Sequence, residues 1–170
     1  MNYEMIIPRL TTKIDRKFFA REAEEVARDL LGRTLVRERG NKSSLYARLT
    51  EVAPWDESNS MVKETLYAPG TFLVLTRYAK KVFGVATEEI GVPSCVTFIS
   101  AAIGDRRGFR EYAKGPGNLS KVLEVEKELD GVPIDFSPMW IGGESVSNDR
   151  IHQRKPSRLP AGCMGYFYFK

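Results

Sequence analysis

The chain has 170 residues, of which 42% are hydrophobic and 28% are charged, and its net charge is +4. This balance excludes a disordered or fibrous chain and fits a single globular domain spanning residues 1–170. The small positive surplus permits a polyanionic partner without establishing one. The only apolar run near the N-terminus, residues 5–7, is too short for a signal peptide or a membrane span, so we expect a cytoplasmic protein.

The first predicted element is a helix over residues 18–31, where apolar side chains recur at helical spacing with charges between them. Asp15 suits the N-cap of this helix, and Gly32 suits the glycine that ends it. A strand is expected at residues 34–37. The turn sequence Gly40-Asn41-Lys42 would then bring back an antiparallel partner strand.

The partner strand carries a carboxylate in an unusual place. Over residues 45–52 the pattern alternates, and period two puts Glu51 on the same face as Ala47 and Leu49. A carboxylate removed from water there would have its charged form disfavoured, as a general base working near neutral pH requires. The alternative is a glutamate at the end of a strand that reaches solvent or pairs with Arg48.

Two further apolar runs, residues 71–76 and 82–87, predict the strands of a hairpin whose tip is residues 77–81. The tip places the cations Arg77, Lys80 and Lys81 around one aromatic, Tyr78. An exposed aromatic among cations can insert between DNA bases while the cations hold phosphates. The alternative is a solvated turn whose Tyr78 folds back onto the sheet.

The remaining chain predicts a strand at residues 94–102, a helix that begins at residues 115–118 and runs to about Leu129, and short strands at residues 139–141 and 166–169. The predicted fold class is therefore α+β, with a mostly antiparallel sheet and two clear helices. Residues 56–64, which lie between the strand that carries Glu51 and the hairpin, are polar and show no clear periodicity.

No motif for metal or cofactor chemistry is present. One histidine, His152, and two distant cysteines, Cys95 and Cys163, cannot supply a zinc site of usual spacing. The sequence has no Walker A pattern and no GxGxxG or GxSxG motif. We therefore predict no cofactor and no metal. A basic stretch near the C-terminus suits either a solvated surface or contact with a nucleic-acid backbone, and comprises Arg150, Arg154, Lys155 and Arg158.

Several segments, in order over about residues 16–170, resemble the alkyladenine (3-methyladenine) DNA glycosylase family. Residues 18–37 resemble the opening of the family, and Thr50-Glu51 resembles its catalytic Thr-Glu pair. Three more segments resemble its DNA-inserting hairpin, its glycine-proline helix entry and its near-C-terminal motif: Pro69-Gly70-Thr71 with the following hairpin to Tyr78, Gly115-Pro116-Gly117-Asn118-Leu119, and Arg154-Lys155-Pro156.

The resemblance implies a curved, open barrel-like antiparallel sheet with flanking helices and a protruding hairpin. It also implies base-excision repair of double-stranded DNA, in which a damaged purine is flipped out and its N-glycosidic bond is hydrolysed. By position, Glu51 would be the general base that activates water, and Tyr78 would be the intercalating wedge. The enzyme would be monofunctional and a monomer, associated with the nucleoid if the source is prokaryotic.

The chain departs from the family pattern around the base pocket. Ala53, Leu75 and Val85 stand where the family has tyrosine, tyrosine and asparagine. The arginine that helps to hold the catalytic water in the family aligns near Ile99 or Ser100, and no arginine stands nearby. Trp55, Tyr46 or Tyr67 could replace the missing aromatic rings, and we choose Trp55, four residues after Glu51. The predicted base pocket therefore comprises Trp55, Ala53, Leu75 and Val85.

The lost polar groups predict a preference for cationic alkylpurines, which are good leaving groups, over neutral lesions such as hypoxanthine. Two other functions remain open from the sequence. One is a catalytically impaired protein that binds DNA damage or distortion on the same scaffold, and the other is an RNA-binding or unrelated hydrolytic role.

Overall fold

The computed structural model describes all but a few parts of the chain; the described residues are 13–63, 66–77, 79–105, 107–136 and 138–170. They form one curved, mostly antiparallel sheet of nine strands with three short α-helices, which confirms the predicted α+β class. Tyr78 lies outside the described residues, and of Arg77 only the backbone is described. No helix in the described part of the chain is long and apolar enough to cross a membrane.

The first predicted helix is divided in two. A 3-10 turn, Arg16–Phe19, comes first, and the carboxylate of Asp15 accepts hydrogen bonds from the backbone at its start. Ala20 then leaves the helical conformation, and helix α1 spans only Ala23–Leu30. The predicted span of residues 18–31 is therefore wrong in detail, whereas Asp15 is an N-cap as predicted, although it caps the 3-10 turn and not α1. Gly32 does follow the helix, with the positive φ (+90°) that favours glycine.

Strands β1 (Thr34–Arg39) and β2 (Lys42–Trp55) form the predicted antiparallel pair, in which Leu35 faces Ala47 across the strands. β2 is longer than predicted because it continues through Pro54 to Trp55. This length lets β2 pair with a different strand at each end of one edge, while its other edge pairs with a single long strand.

A β-bulge changes the face on which Glu51 lies. The register of β2 shifts between Leu49 and Glu51 and again before Val52. Val52 joins Leu49 in the main hydrophobic core, while Ala53 belongs to a separate cluster on the other face. Glu51 therefore lies on the opposite face from Leu49, and the prediction that it shares the apolar face of Ala47 and Leu49 is wrong. An extra residue inserted into a strand reverses the alternation beyond it, which period-two counting does not anticipate.

The segment after Trp55 contains a helix that the sequence did not predict. Helix α2 (Ser60–Lys63) begins at Asn59, whose side-chain oxygen accepts hydrogen bonds from the backbone of Met61 and Val62. This is N-cap geometry, and the pair Asn59-Ser60 was its only local signal.

The predicted hairpin is confirmed in the described residues. Strands β3 (Phe72–Arg77) and β4 (Lys80–Ala86) pair antiparallel, and Arg77 stands opposite Lys80. The paired strands therefore include Arg77, Lys80 and Lys81, which were predicted to lie in the tip. Strand β5 (Cys95–Asp105) follows and pairs with both β4 and β2.

The second predicted helix is shorter than expected. After strand β6 (Gly108–Ala113), which was not predicted, helix α3 spans Pro116–Val122. The backbone N–H groups of Glu124 and Val125 bond back to the last turn, and Glu124 has a positive φ of 54°. This helix end usually takes glycine, so a glutamate there gave no local sign that the helix stops before Leu129.

Three short strands complete the sheet: β7 (Met139–Gly142), β8 (His152–Arg154) and β9 (Tyr166–Tyr168). The strand order is β3-β4-β5-β2-β1-β7, β6 extends the pairing of β5, and β9 connects β8 to β2. Helices α1 and α3 bury apolar residues in the main core on one face of this curved sheet. The other face carries Glu51.

Candidate active site

Glu51 stands at the junction of three strands. Its partners across the sheet are Ser100 on β5 and Tyr168 on β9. The Ser100 hydroxyl accepts a hydrogen bond from the backbone N–H of Gly115 (3.1 Å). The side chain of Glu51 is 18% exposed, so the carboxylate is largely shielded by the sheet and still reaches solvent. A water molecule can therefore meet it at the surface of the sheet.

The cation beside Glu51 comes from the far end of the chain. Nη2 of Arg154 lies 3.5 Å from Oε2 of Glu51. The guanidinium of Arg154 also lies over the ring of Tyr166, 4.7 Å from the ring centroid. Among the ion pairs of the described residues, Glu51 pairs with Arg154 rather than with Arg48, and Nε of Arg48 donates to the carbonyl of Gly32 (3.1 Å).

A small cavity lies on the same side of the sheet. Its volume is about 210 Å³, below the roughly 300–1,000 Å³ of pockets that hold drug-sized ligands, and it suits a single heterocyclic ring system. Two aromatic side chains line it together with mostly apolar residues: Trp55, Tyr166, Met61, Val62, Leu75, Val82, Ile99, Pro116, Asn59 and Thr97.

One polar group at the cavity fixes the orientation of Trp55. Nε1 of Trp55 donates to Oγ1 of Thr97 (2.9 Å), and that hydroxyl donates to the carbonyl of Ala53 (3.4 Å). Both polar atoms are therefore satisfied within the protein. The faces of the indole and phenol rings remain the main recognition elements of the cavity, as a planar or cationic ring requires.

The structure separates the four residues assigned to the base pocket into two pairs. Trp55 and Leu75 line the cavity, whereas Ala53 and Val85 are fully buried and do not line it. Val85 belongs to the main core on the other face of the sheet. Sequence position could not show which of the four residues line the cavity, because that depends on the face of the sheet on which each side chain lies.

The predicted DNA-backbone residues differ in their surroundings. Lys80 is exposed, and Nζ of Lys81 is paired with Oε2 of Glu126 at 2.5 Å. This pairing holds the pKa of the Glu126 carboxyl below its usual value, first through the hydrogen bond from Lys81 and then through its charge. The side chain of Arg77 and the whole of Tyr78 lie outside the described residues.

Sequence reasoning missed two residues of this site, Arg154 and Tyr166. Arg154 was visible as part of a basic stretch and of the segment that resembles the family's near-C-terminal motif, with no link to Glu51, and Tyr166 was visible only as part of a terminal strand. They stand opposite each other in the β8–β9 pair. Because β9 also pairs with β2 at Glu51, both residues come close to that carboxylate. A contact between residues 103 positions apart leaves no local signal.

Comparison with known proteins agrees with the resemblance described above. The chain is 29% identical to a provisionally named 3-methyladenine DNA glycosylase of Anaeromyxobacter sp. strain Fw109-5, over 69% of this chain and 66% of that protein. It is 29% identical to one of Rhodopseudomonas palustris strain BisB18, over 89% and 86% of the two chains, and 26% identical to one of Legionella pneumophila strain Corby, over 85% and 84%. The sequence model of the methylpurine-DNA glycosylase family matches residues 17–158. The chain therefore belongs to the methylpurine-DNA glycosylase family.

Proposed function

We propose that this protein is a monofunctional DNA glycosylase of base-excision repair that hydrolyses the N-glycosidic bond of alkylated purines of the 3-methyladenine type. The observation that supports this best is the position of Glu51, a partly exposed carboxylate paired with Arg154. Arg154 in turn stacks on Tyr166, which lines the aromatic cavity. A carboxylate and a ring-sized cavity are the two elements that water attack on a flipped nucleotide requires.

In the proposed reaction, the damaged base enters the cavity beside Trp55 and Tyr166. The carboxylate of Glu51 takes a proton from a water molecule, and the water oxygen bonds to C1′ of the deoxyribose. The bond between C1′ and the purine nitrogen breaks, and its electron pair neutralises the cationic ring of the base. The products are the free base and an abasic site with the strand intact. General-base assistance of this kind contributes roughly 10²–10⁴-fold in rate.

The test compares the protein with Glu51→Gln on duplex DNA that contains 3-methyladenine, under single-turnover conditions. We expect the substitution to lower base release at least about 10²-fold. Glu57→Gln is the matched control, because Glu57 is an exposed carboxylate outside the cavity lining, and we expect it to keep the activity. Damage-specific binding without base release in the unmodified protein would support the alternative, a protein that recognises damage without excising it.

The apolar, aromatic character of the cavity also predicts which lesions are excised. A cationic alkylpurine is attracted to aromatic faces and leaves without protonation, whereas hypoxanthine is neutral and needs a proton donor. We expect excision of 3-methyladenine to exceed that of hypoxanthine at least tenfold, measured as the single-turnover rate on otherwise identical duplexes. Equal rates for the two lesions would contradict this preference.

We further propose that the protein binds double-stranded DNA as a monomer, with Tyr78 as the wedge that replaces the flipped nucleotide. The support for the wedge is that the hairpin strands pair as far as Arg77 and Lys80, with Tyr78 between these two residues in the sequence. Base flipping needs a side chain that fills the space left by the flipped nucleotide, because the neighbouring base pairs would otherwise close over that space.

A further inference from the structure

The polar side chains that line the aromatic cavity differ in what they can offer a base. Trp55 donates to Thr97, and Thr97 donates to the backbone, so both donor hydrogens are used within the protein. The hydroxyl of Tyr166 can both donate and accept, and it therefore discriminates little between ligands. The other hydrogen-bonding side chain among the described lining residues is the amide of Asn59. Its chemistry can therefore select among bases.

A helix cap fixes which end of the Asn59 amide is available. The side-chain oxygen accepts hydrogen bonds from the backbone N–H groups of Met61 (3.0 Å) and Val62 (3.3 Å) at the start of α2. A backbone N–H can only donate, so the amide cannot turn round without leaving both groups unpaired. The amide nitrogen, Nδ2, has no acceptor among the described residues. The part of Asn59 that remains for a ligand can therefore only donate.

A close contact from the C-terminal segment holds Asn59 in place. A Cβ atom on Gly162 would lie 2.6 Å from the backbone nitrogen of Asn59 and 2.9 Å from its Cβ, so no side chain fits between the two residues. The carbonyl of Gly162 also accepts from the backbone N–H of Asp56 (2.9 Å). Asn59 is therefore fixed by the helix on one side and by this contact on the other, and a fixed group loses little freedom on binding.

The same C-terminal segment shows that Asn59 and Glu51 lie on opposite sides of Trp55. Tyr168 of this segment pairs with Glu51. Gly162 contacts Asn59, and the residue after Gly162 bridges to Trp55. The N-glycosidic bond of a flipped nucleotide must lie beside Glu51 for an activated water to attack it. The purine edge farthest from the sugar, which carries N1 and the C6 substituent, therefore points toward Asn59.

We propose that the side-chain amide of Asn59 selects the flipped base by donating a hydrogen bond to an acceptor at the purine edge farthest from the sugar. That acceptor is N1 in an adenine-type base and O6 in a guanine-type base. This inference rests on the proposed function, because the cavity is taken as the site of the flipped base. A base whose acceptor is missing or blocked, such as the isomer 1-methyladenine, leaves the amide unpaired and binds less tightly.

The test changes one atom of the base. One duplex carries 3-deaza-3-methyladenine, a neutral mimic of 3-methyladenine that keeps N1, and the other carries its 1,3-dideaza analogue, in which carbon replaces N1. Each analogue stands opposite an abasic site, so that neither is paired. Fluorescence anisotropy should show about three- to tenfold tighter binding of the duplex that keeps N1, the usual effect of one hydrogen bond. Equal affinities for the two duplexes would overturn the proposal.

Two variants keep the helix cap and change the group that remains for the cavity. Asn59→Ser retains a capping oxygen and removes the amide, so the two duplexes should bind equally. Asn59→Asp retains a capping oxygen and replaces the donor by an acceptor, so the duplex that keeps N1 should bind more weakly than its analogue. Asn41→Ser, in the exposed turn between β1 and β2, is the matched control and should keep the preference of the unmodified protein.

The preference between the two duplexes separates recognition from folding. If Asn59→Ser weakened binding of both duplexes alike and kept the preference, Asn59 would act only through the fold and the proposal would be wrong. The assay needs no base release. A protein that shows the preference but releases no 3-methyladenine would refute the proposed enzyme and leave this inference standing. Release of 3-methyladenine without the preference would do the reverse.

Discussion

Arg154 contacts the two parts of the candidate site with one guanidinium group. One of its nitrogens lies 3.5 Å from the carboxylate of Glu51, while its plane lies over the ring of Tyr166. Arginine suits this position because it keeps its charge and its planar group stacks on aromatic rings. We regard Arg154 as a positioning residue that fixes the carboxylate relative to the cavity.

Arg154→Ala should lower the rate of base release by roughly 10–100-fold, because a small displacement of a catalytic group is costly. The fold should persist, since the ion pair is partly exposed and such pairs contribute only about 0–1 kcal/mol to stability. Single-turnover rates and urea unfolding measure the two effects. Arg154→Lys should restore part of the rate by restoring the charge.

Arg158 provides the matched control because it is exposed in the same basic stretch and outside the pair with Glu51. If Arg158→Ala slowed base release as much as Arg154→Ala, the effect would come from general DNA affinity. A shift of the pH profile in Arg154→Ala alone would indicate that the arginine acts through the carboxylate.

At the scale of elements, the hairpin depends on a close approach between β4 and β5. Gly84 stands opposite Thr97, and a Cβ atom on Gly84 would lie 2.1 Å from the carbonyl oxygen of Val96. No side chain fits at that distance, so glycine allows β4 to pair with β5 and thereby fixes the base of the hairpin to the sheet.

Gly84→Ala should therefore lower the free energy of unfolding by about 1–3 kcal/mol, the usual cost of forcing extra atoms into a packed site. The midpoint of urea unfolding measures it. Gly117→Ala is the contrasting variant, because its Cβ would meet only the flexible end of Lys80 at 3.3 Å. If Gly84→Ala were as stable as Gly117→Ala, β4 and β5 would be less tightly apposed than described.

The local sequence predicted elements well where the spacing of apolar side chains matched the helix or strand that the backbone forms. Helix α1 followed from helical spacing and from Gly32 at its end, and the hairpin followed from two apolar runs. The end of α3 was missed because Glu124, rather than glycine, adopts the left-handed conformation there. Strand β8 was missed because its three residues are all exposed and therefore do not alternate.

At the scale of the whole molecule, the curved sheet encloses both cysteines. Burial raises the pKa of the Cys95 thiol to about 12, and the nearby Cys163 adds to the rise. Burial also raises the pKa of the Cys163 thiol. Because only the thiolate reacts readily with alkylating reagents, the folded protein should keep both thiols in the unreactive form.

Iodoacetamide at about pH 8, near the ordinary thiol pKa of about 8.5, should label the folded protein at least about 10²-fold more slowly than the urea-unfolded protein. Mass spectrometry measures the rates. In Cys163→Ser the remaining rate belongs to Cys95, and it should stay low when the pH is raised by one unit. Rapid labelling of the folded protein would mean that the sheet opens around β5.

The sequence by itself determined the family and the α+β class, and it singled out Glu51 as the candidate carboxylate, because these depend on local residue types and their order. Only the tertiary structure decided where that carboxylate points and what surrounds it. A bulge in β2 turns Glu51 away from the core face, and the β2–β9–β8 pairing brings Arg154 and Tyr166 to it. Strand pairing is non-local, so its partners cannot be read from the spacing of neighbouring residues.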